Sequence, residues 1–257
     1  MLISSISSCS FLYERRNLSK EEYITINREI INNFSKAIIK NPHNFLFYLE
    51  RGKAKQKNGD YKGALKDFNN ALKLNPDKKF LFYRANAKFD YGDYRGAIKD
   101  YQELILMKDL RDQIFFNIAS AQLTNLNFTG AIKNYSRAIN YDNNDAYAYL
   151  NRGNAKFKTN DYLGSVEDYN KSISINNKSF ITFNNKGVSK FKLGNYKSAL
   201  EDFKRSLEIN PNNYNTLYNK SLTLYKLGEK KKACKDLKKS IKLGKEVFED
   251  EYLKICD

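Results

Sequence analysis

Small residues recur through this chain at a nearly fixed interval. Gly52, Ala85, Ala119, Gly153, Gly187 and Ser221 stand 33, 34, 34, 34 and 34 residues apart. Twelve residues after each comes a second small residue: Ala64, Ala97, Ala131, Ser165, Ala199 and Ala233. Four further on lies an apolar ring or a leucine: Phe68, Tyr101, Tyr135, Tyr169, Phe203 and Leu237. A period of this length with helical spacing inside it marks a solenoid, in which no unit buries its apolar face alone and each must stack on its neighbour.

Each period reads as two helices. The strings "KNGDYKGALKDF" (57–68), "DYGDYRGAIKDY" (90–101) and "KLGNYKSALEDF" (192–203) place Asp60, Asp93 and Asn195, with Asp161 in the equivalent place, as N-caps of the second helix. Pro76 and Pro211 fall just past the end of that helix, where a proline stops it cleanly. Glycine or alanine at facing positions lets the paired helices approach closely. Upstream, Ser19 and Glu22 form a capping box, and Phe34, Ala37 and Pro42 match Phe68, Ala71 and Pro76. The expected organisation is therefore an N-terminal segment over 1–18, poorly ordered or a degenerate helix, and a capping helix over 19–44. Six units follow at 45–77, 78–111, 112–145, 146–179, 180–213 and 214–245, then a capping helix over 246–257.

The small residues, the Gly-Asp-Tyr turn and the trailing proline resemble the tetratricopeptide repeat (TPR) family, and the match spans residues 45 to 245. The resemblance implies an all-α fold, an α-solenoid of helix-turn-helix units forming a right-handed superhelix. The chain departs from the family in two columns. The usual tyrosine three residues after the first small residue is Lys55, Lys88, Lys156 and Lys190, with an aromatic one place later at Phe89, Phe157, Phe191 and Tyr225. The third alanine is kept at Ala71 and Ala138 but becomes Ser172, Ser206 and Ser240.

Repeats serve as an internal alignment. Just before the first small residue stand Arg51, Arg84, Ile118, Arg152, Lys186 and Lys220, and sixteen residues later Asp67, Asp100, Asn134, Asp168, Asp202 and Asp236. The third unit alone loses its cation, and it alone loses its acid. Linked loss predicts an ion pair between the two helices of each unit, and removes these carboxylates from the list of acid–base candidates.

A different column points to a ligand. Asn117, Asn151, Asn185 and Asn219 occupy one position in four consecutive units, with Asn86 and Asn154 on the same helix face. The family resemblance implies that this face lines a concave groove, similar to the asparagine ladder in the TPR region of the O-linked N-acetylglucosamine transferases. An amide offers donor and acceptor together, so it can hold a peptide backbone whatever the side chain. Lys158, Lys192 and Lys226 beside the ladder suit an acidic partner. The carboxylate clamp that grips chaperone tails is not matched: Phe82, Asn86, Asn117, Tyr147 and Asn151 fill its places, without its cations. The expectation is a protein or peptide partner bound without enzymatic activity.

Composition narrows the alternatives. No glycine-rich phosphate loop or nucleophile–histidine arrangement is present, so no catalytic residue and no cofactor is expected. Three cysteines and one histidine cannot build a zinc site of ordinary spacing, so no metal is expected either. His43 reads as a solvated turn residue. Cys234 and Cys256 are expected as a reduced, buried pair. The 45 Lys+Arg against 29 Asp+Glu give a formal charge of +16, which attracts acidic partners. Eight lysines crowd "KKKACKDLKKSIKLGK" (230–245), making a nucleic acid or other polyanion the competing partner, disfavoured because the arginines suited to phosphate forks are absent there. Ile6-Ser7-Ser8-Cys9 resembles a lipobox without a basic start, so a cytoplasmic chain is expected, lipid-anchored through Cys9 only if the true start lies upstream.

Overall fold

The computed structural model describes residues 19–107, 111–247 and 249–256. The N-terminal segment over 1–18, with Cys9, lies outside the described residues. Among those described there are fourteen helices and no strand. In order they are α1 (Lys20–Lys40), α2 (Phe45–Lys57), α3 (Tyr61–Leu74), α4 (Lys78–Tyr91), α5 (Tyr94–Leu106), α6 (Arg111–Thr124) and α7 (Phe128–Tyr141). Then come α8 (Ala146–Lys158), α9 (Tyr162–Ile175), α10 (Phe180–Lys192), α11 (Tyr196–Ile209), α12 (Tyr214–Lys226), α13 (Lys230–Lys242) and α14 (Glu249–Cys256). No described helix is long and apolar enough to cross a membrane.

The chain divides into two compact units, one ending at Ile114 and the other beginning at Phe115, inside α6. In each, consecutive helices pack as antiparallel helix-turn-helix pairs, the α-solenoid arrangement. The first unit centres on Leu49, Phe68, Phe80 and their small neighbours Ala64, Ala71 and Ala87. The second holds a cluster of Ala119, Ala131, Tyr135 and Ala155, and another of Leu200, Leu224, Ala233, Leu237 and Ile255.

Close approach within a pair depends on the first small residue. A Cβ placed on Gly52, Gly153 or Gly187 would stand 2.8, 2.7 and 2.7 Å from the rings of Phe68, Tyr169 and Phe203, each buried. The serines that replace the family's third alanine are also explained. Ser172, Ser206 and Ser240 are buried and each donates, at 2.8 Å, to the first carbonyl of the preceding first helix, at Ala146, Phe180 and Tyr214. A buried hydroxyl is thereby satisfied and the start of that helix is pinned.

The turn between paired helices is built the same way in most units. Asp60, Asp93 and Asp161 cap the second helix by accepting from the backbone N–H of Gly63, Gly96 and Gly164 at 2.9 Å, as does Asn127 from Gly130 at 3.0 Å. Asn195 departs from expectation: it stands at the N-cap but makes no side-chain cap bond. Three residues on, the first four units have glycine, where a Cβ at Gly63 would sit 2.1 Å from the Asp60 carboxylate; here Ser198 fills that space, and in the sixth unit Lys232 follows Glu229, which likewise makes no side-chain cap bond. Two residues before the first residue of each second helix the backbone enters the left-handed region, at Gly59, Gly92, Gly194 and Gly228 but also at Asn160 (φ 63°) and Leu126 (φ 61°).

At the start, Ser19 and Glu22 form the expected capping box on α1, and these bonds hold the Glu22 carboxyl below its ordinary value. His43 is exposed in a turn. At the other end the expectation fails for the cysteines. Cys234 and Cys256 are joined as a disulfide with their Cα atoms 4.8 Å apart. Ile255 drops into the core beside Leu237, and this draws the neighbouring Cys256 within bonding range of α13.

Candidate functional site

The repeated charges of five of the six units are consumed inside the unit that carries them. Arg51 reaches Asp67 with two prongs, Nε to Oδ2 at 2.9 Å and Nη2 to Oδ1 at 2.6 Å, and Lys55 adds a third contact at 2.8 Å. The same triad forms from Arg84, Lys88 and Asp100, and from Arg152, Lys156 and Asp168. Lys186, Lys190 and Asp202 build a version with two lysines. In the sixth unit Lys220 alone pairs with Asp236, at 3.0 Å, because Leu224 stands where the second cation would be. In the third unit those three positions are neutral: Asn134 donates to Gln122 at 2.8 Å and accepts from Arg137 of its own helix at 3.3 Å. The lysine column that replaces the family's tyrosine is thus a second counter-ion for a buried carboxylate.

The aromatic one place later turns back on the helix-pair turn. Phe89, Phe157 and Phe191 pack on Tyr94, Tyr162 and Tyr196 with ring centroids 5.5, 5.3 and 5.1 Å apart. These rings hold the two helices of a unit together, so their apolar surface is partly spent within the scaffold.

A second pair of columns is linked through the buried tyrosines. Tyr101 donates its hydroxyl to Asn86 Oδ1, Tyr169 to Asn154 Oδ1 at 2.9 Å, and Tyr135 exchanges a 2.9 Å bond with Ser120. Where the ring is Phe68, Phe203 or Leu237, with no hydroxyl to satisfy, the partner position holds Lys53, Val188 or Leu222. Burial pushes the hydroxyls of Tyr135 and Tyr169 well above the ordinary tyrosine range, so both remain donors.

The asparagines of the ladder lie half-buried on the first helices: Asn86 on α4, Asn117 on α6, Asn151 and Asn154 on α8, Asn185 on α10 and Asn219 on α12. Three of them are brought together in the second compact unit. Asn185 donates to Asn154 Oδ1 at 3.0 Å, Asn184 to Asn185 Oδ1 at 3.1 Å, and Asn219 to Asn184 Oδ1 at 3.0 Å. With Tyr169 at its end this is a continuous run of polar groups across α8, α10 and α12. Asn151 instead stands by the Tyr135 hydroxyl, where it partly offsets the effect of burial. Asn184, which links the run, was not singled out from the sequence. The signal was there, since Leu49, Phe82, Phe116, Leu150 and Tyr218 share its column and it alone is a polar amide.

Lys158, Lys192 and Lys226 are exposed, each the last residue of its helix. A cation there is also favoured by the helix dipole. The arrangement therefore offers half-buried amides beside a line of exposed positive charge. Among the described residues no group of three or more His, Cys, Asp or Glu could hold a metal ion.

Family models described as tetratricopeptide repeat or TPR repeat match residues 49–113, 127–160, 146–179, 180–213 and 203–235. A comparison with curated proteins finds no match. Among solved structures, the C-terminal part of a TPR repeat-containing protein from Cytophaga hutchinsonii is 18% identical, with a TM-score of 0.72 over 93% of this chain and 98% of that one. YrrB, described as a TPR protein with an unusual peptide-binding site, is 18% identical, with a TM-score of 0.61 over 73% of this chain and 97% of that one. MamA residues 41 to the end, from Desulfovibrio magneticus RS-1, is 16% identical, with a TM-score of 0.62 over 66% of this chain and 96% of that one.

Proposed function

The chain belongs to the tetratricopeptide repeat family, and on that premise we propose that it is a non-enzymatic interaction scaffold taking an extended, acidic peptide segment along α8, α10 and α12. The observation that carries this is the half-buried amide run of Asn154, Asn185, Asn184 and Asn219, with Asn151 on the same helix as Asn154. A primary amide has two protons and two lone pairs; the oxygens of Asn154 and Asn184 each already accept twice, but each donor in the run gives only one proton to its neighbour, so amide N–H groups remain for a ligand carbonyl. The scaffold bonds fix the amide planes, so little orientational freedom is lost when a peptide takes the remaining capacity. Exposed Lys158, Lys192 and Lys226 beside them favour carboxylates on the ligand. The description of YrrB as peptide-binding supports the same use of this fold.

The test is a peptide array followed by solution titration of the best binder. Asn151→Ala combined with Asn185→Ala should weaken it about five- to hundredfold, two neutral hydrogen bonds at roughly 0.5–1.5 kcal/mol each. Circular dichroism should be unchanged, and affinity should fall only modestly between low and moderate salt. A silent double variant sinks the proposal. A steep salt loss, with damage from removing Lys231, Lys235 and Lys238 instead, would assign the surface of α13 and a polyanion in its place.

A further inference from the structure

We infer that Cys234 and Cys256 form a reversible thiol–disulfide site that fastens α14 over the sixth helix pair and releases it on reduction. The site is independent of the peptide surface proposed above. It stands on three observations: what the bond holds, how reachable it is, and what surrounds it.

The disulfide ties α13 to α14, and α14 is only eight residues long. A helix that short does not persist alone in water. Among its described side chains, the other holds on the protein are Ile255, 2% exposed in the cluster with Leu224 and Leu237, and half-buried Tyr252. With the sulfurs separated, these two are the buried or half-buried side chains left, among those described, to retain the helix. Its departure would uncover the apolar end of the pair formed by α12 and α13.

Both cysteines are half-buried rather than sealed in the core, although Cys256 packs against its edge. Cys234 is flanked on α13 by Lys230, Lys231, Lys235 and Lys238, all exposed, and Lys254 stands two residues before Cys256. The acids on α13 and at its N-cap are engaged, Asp236 with Lys220 and Glu229 with Lys232. On α14, Glu249 and Asp250 are exposed at the opposite end of the helix from Cys256. In sequence Glu251 and Asp257 lie near Cys256 as well, so the positive charge is concentrated around Cys234; nearby cations favour a thiolate, the attacking species in exchange.

The co-reactant is a low-molecular-weight disulfide, RSSR. The Cys256 thiolate attacks one of its sulfurs, forming a mixed disulfide and expelling RS⁻. The Cys234 thiolate then attacks Sγ of Cys256 and expels the second RS⁻. Two protein thiols are oxidised, one RSSR is reduced to two RSH, and the two thiol protons end on the released thiolates. Reduction runs the same steps backwards.

The experiment uses the full chain carrying Cys9→Ser, equilibrated in glutathione buffers from fully oxidised to fully reduced. Alkylation mass counts the free thiols, and amide hydrogen exchange is followed over 249–256 with α10 as the internal reference. Expected are zero adducts at the oxidised end and two at the reduced end. Exchange over 249–256 should quicken about tenfold or more on reduction, with α10 unchanged. Cys234→Ser and Cys256→Ser should exchange at the fast rate in every buffer. A pair that stays closed in reduced glutathione alone overturns the inference and makes the bond a permanent staple. Thiols that stay free in oxidised glutathione, or a reduced protein whose α14 exchanges as slowly as the oxidised one, also overturn it. Should either serine variant lose helix beyond α14, the reduced and oxidised parent protein decides the matter without it.

Discussion

Arg152 grips Asp168 with two parallel hydrogen bonds, at 2.9 and 2.6 Å, while Lys156 approaches the same carboxylate at 3.0 Å. Asp168 is buried, and both cations keep part of their surface in water. The two sides of the contact are therefore unequal. Asp168→Ala leaves two cations facing each other and should cost about 3 kcal/mol. Arg152→Ala leaves Lys156 in place and should cost about 1 kcal/mol. A double-mutant cycle by urea unfolding should return a coupling of about 1 kcal/mol. Strict additivity would show that the pair does not act as one.

The tyrosine–asparagine column makes its own prediction. Asn154→Val should cost about 1–3 kcal/mol, because it strands the buried Tyr169 hydroxyl. Adding Tyr169→Phe should recover part of that loss, since the fifth unit already runs on Val188 and Phe203. Chemical denaturation of the two variants checks the order; a double variant weaker than the single one contradicts it.

Alkaline pH offers a further check on the same ring. Burial raises the Tyr169 hydroxyl in the folded protein, so the native state keeps a proton that the unfolded chain releases near pH ~10. The stabilisation is whole below that pH and shrinks as pH rises above it. The Tyr169→Phe variant should consequently lose less Tm than the parent between pH ~9 and ~11, followed by thermal melts. Parallel curves would mean that the hydroxyl is not held protonated.

Gly187 faces the ring of Phe203 at a distance that leaves no room for a side chain. Gly187→Leu should cost about 1–3 kcal/mol through overpacking, seen as a lower melting midpoint. An unchanged midpoint would mean that the helices are not in close contact there.

Leu126 holds a left-handed backbone, φ 61°, with 73% of its surface exposed. Four equivalent turns use glycine. A residue with a side chain is disfavoured in that region by about 1–2 kcal/mol, and glycine's extra chain entropy offsets about half of this. Leu126→Gly should raise stability by roughly 0.5–1 kcal/mol. A lower Tm would show that the leucine packs usefully despite its exposure.

The repeat, the paired helices and the ion columns were legible in the sequence because each is a periodic pattern that six copies display against one another. Asn134 and Ile118 changing together expose the Arg–Asp pairing from the sequence alone. The same comparison could have linked Tyr101, Tyr135 and Tyr169 to Asn86, Ser120 and Asn154. That link was obscured because a ladder of asparagines invites a ligand explanation first. Lys55 and its equivalents were visible only as a departure from the family, since nothing in a linear string shows two cations four residues apart converging on one acid. The disulfide was hidden for a different reason. Cys256 belongs to no repeat, so no internal alignment reports on where it sits.

Every ion triad closes within a single helix pair, its members sixteen residues or fewer apart along the chain. A unit therefore carries its own counter-ions. Gain or loss of a whole 34-residue segment strands no buried charge, whereas a cut of half that length would orphan an aspartate or leave two cations unopposed. A chain lacking residues 146–179 should keep its helicity per residue by circular dichroism, and one lacking 146–162 should not. In this sense the electrostatics of the scaffold set the quantum in which a gene of this kind can grow or shrink.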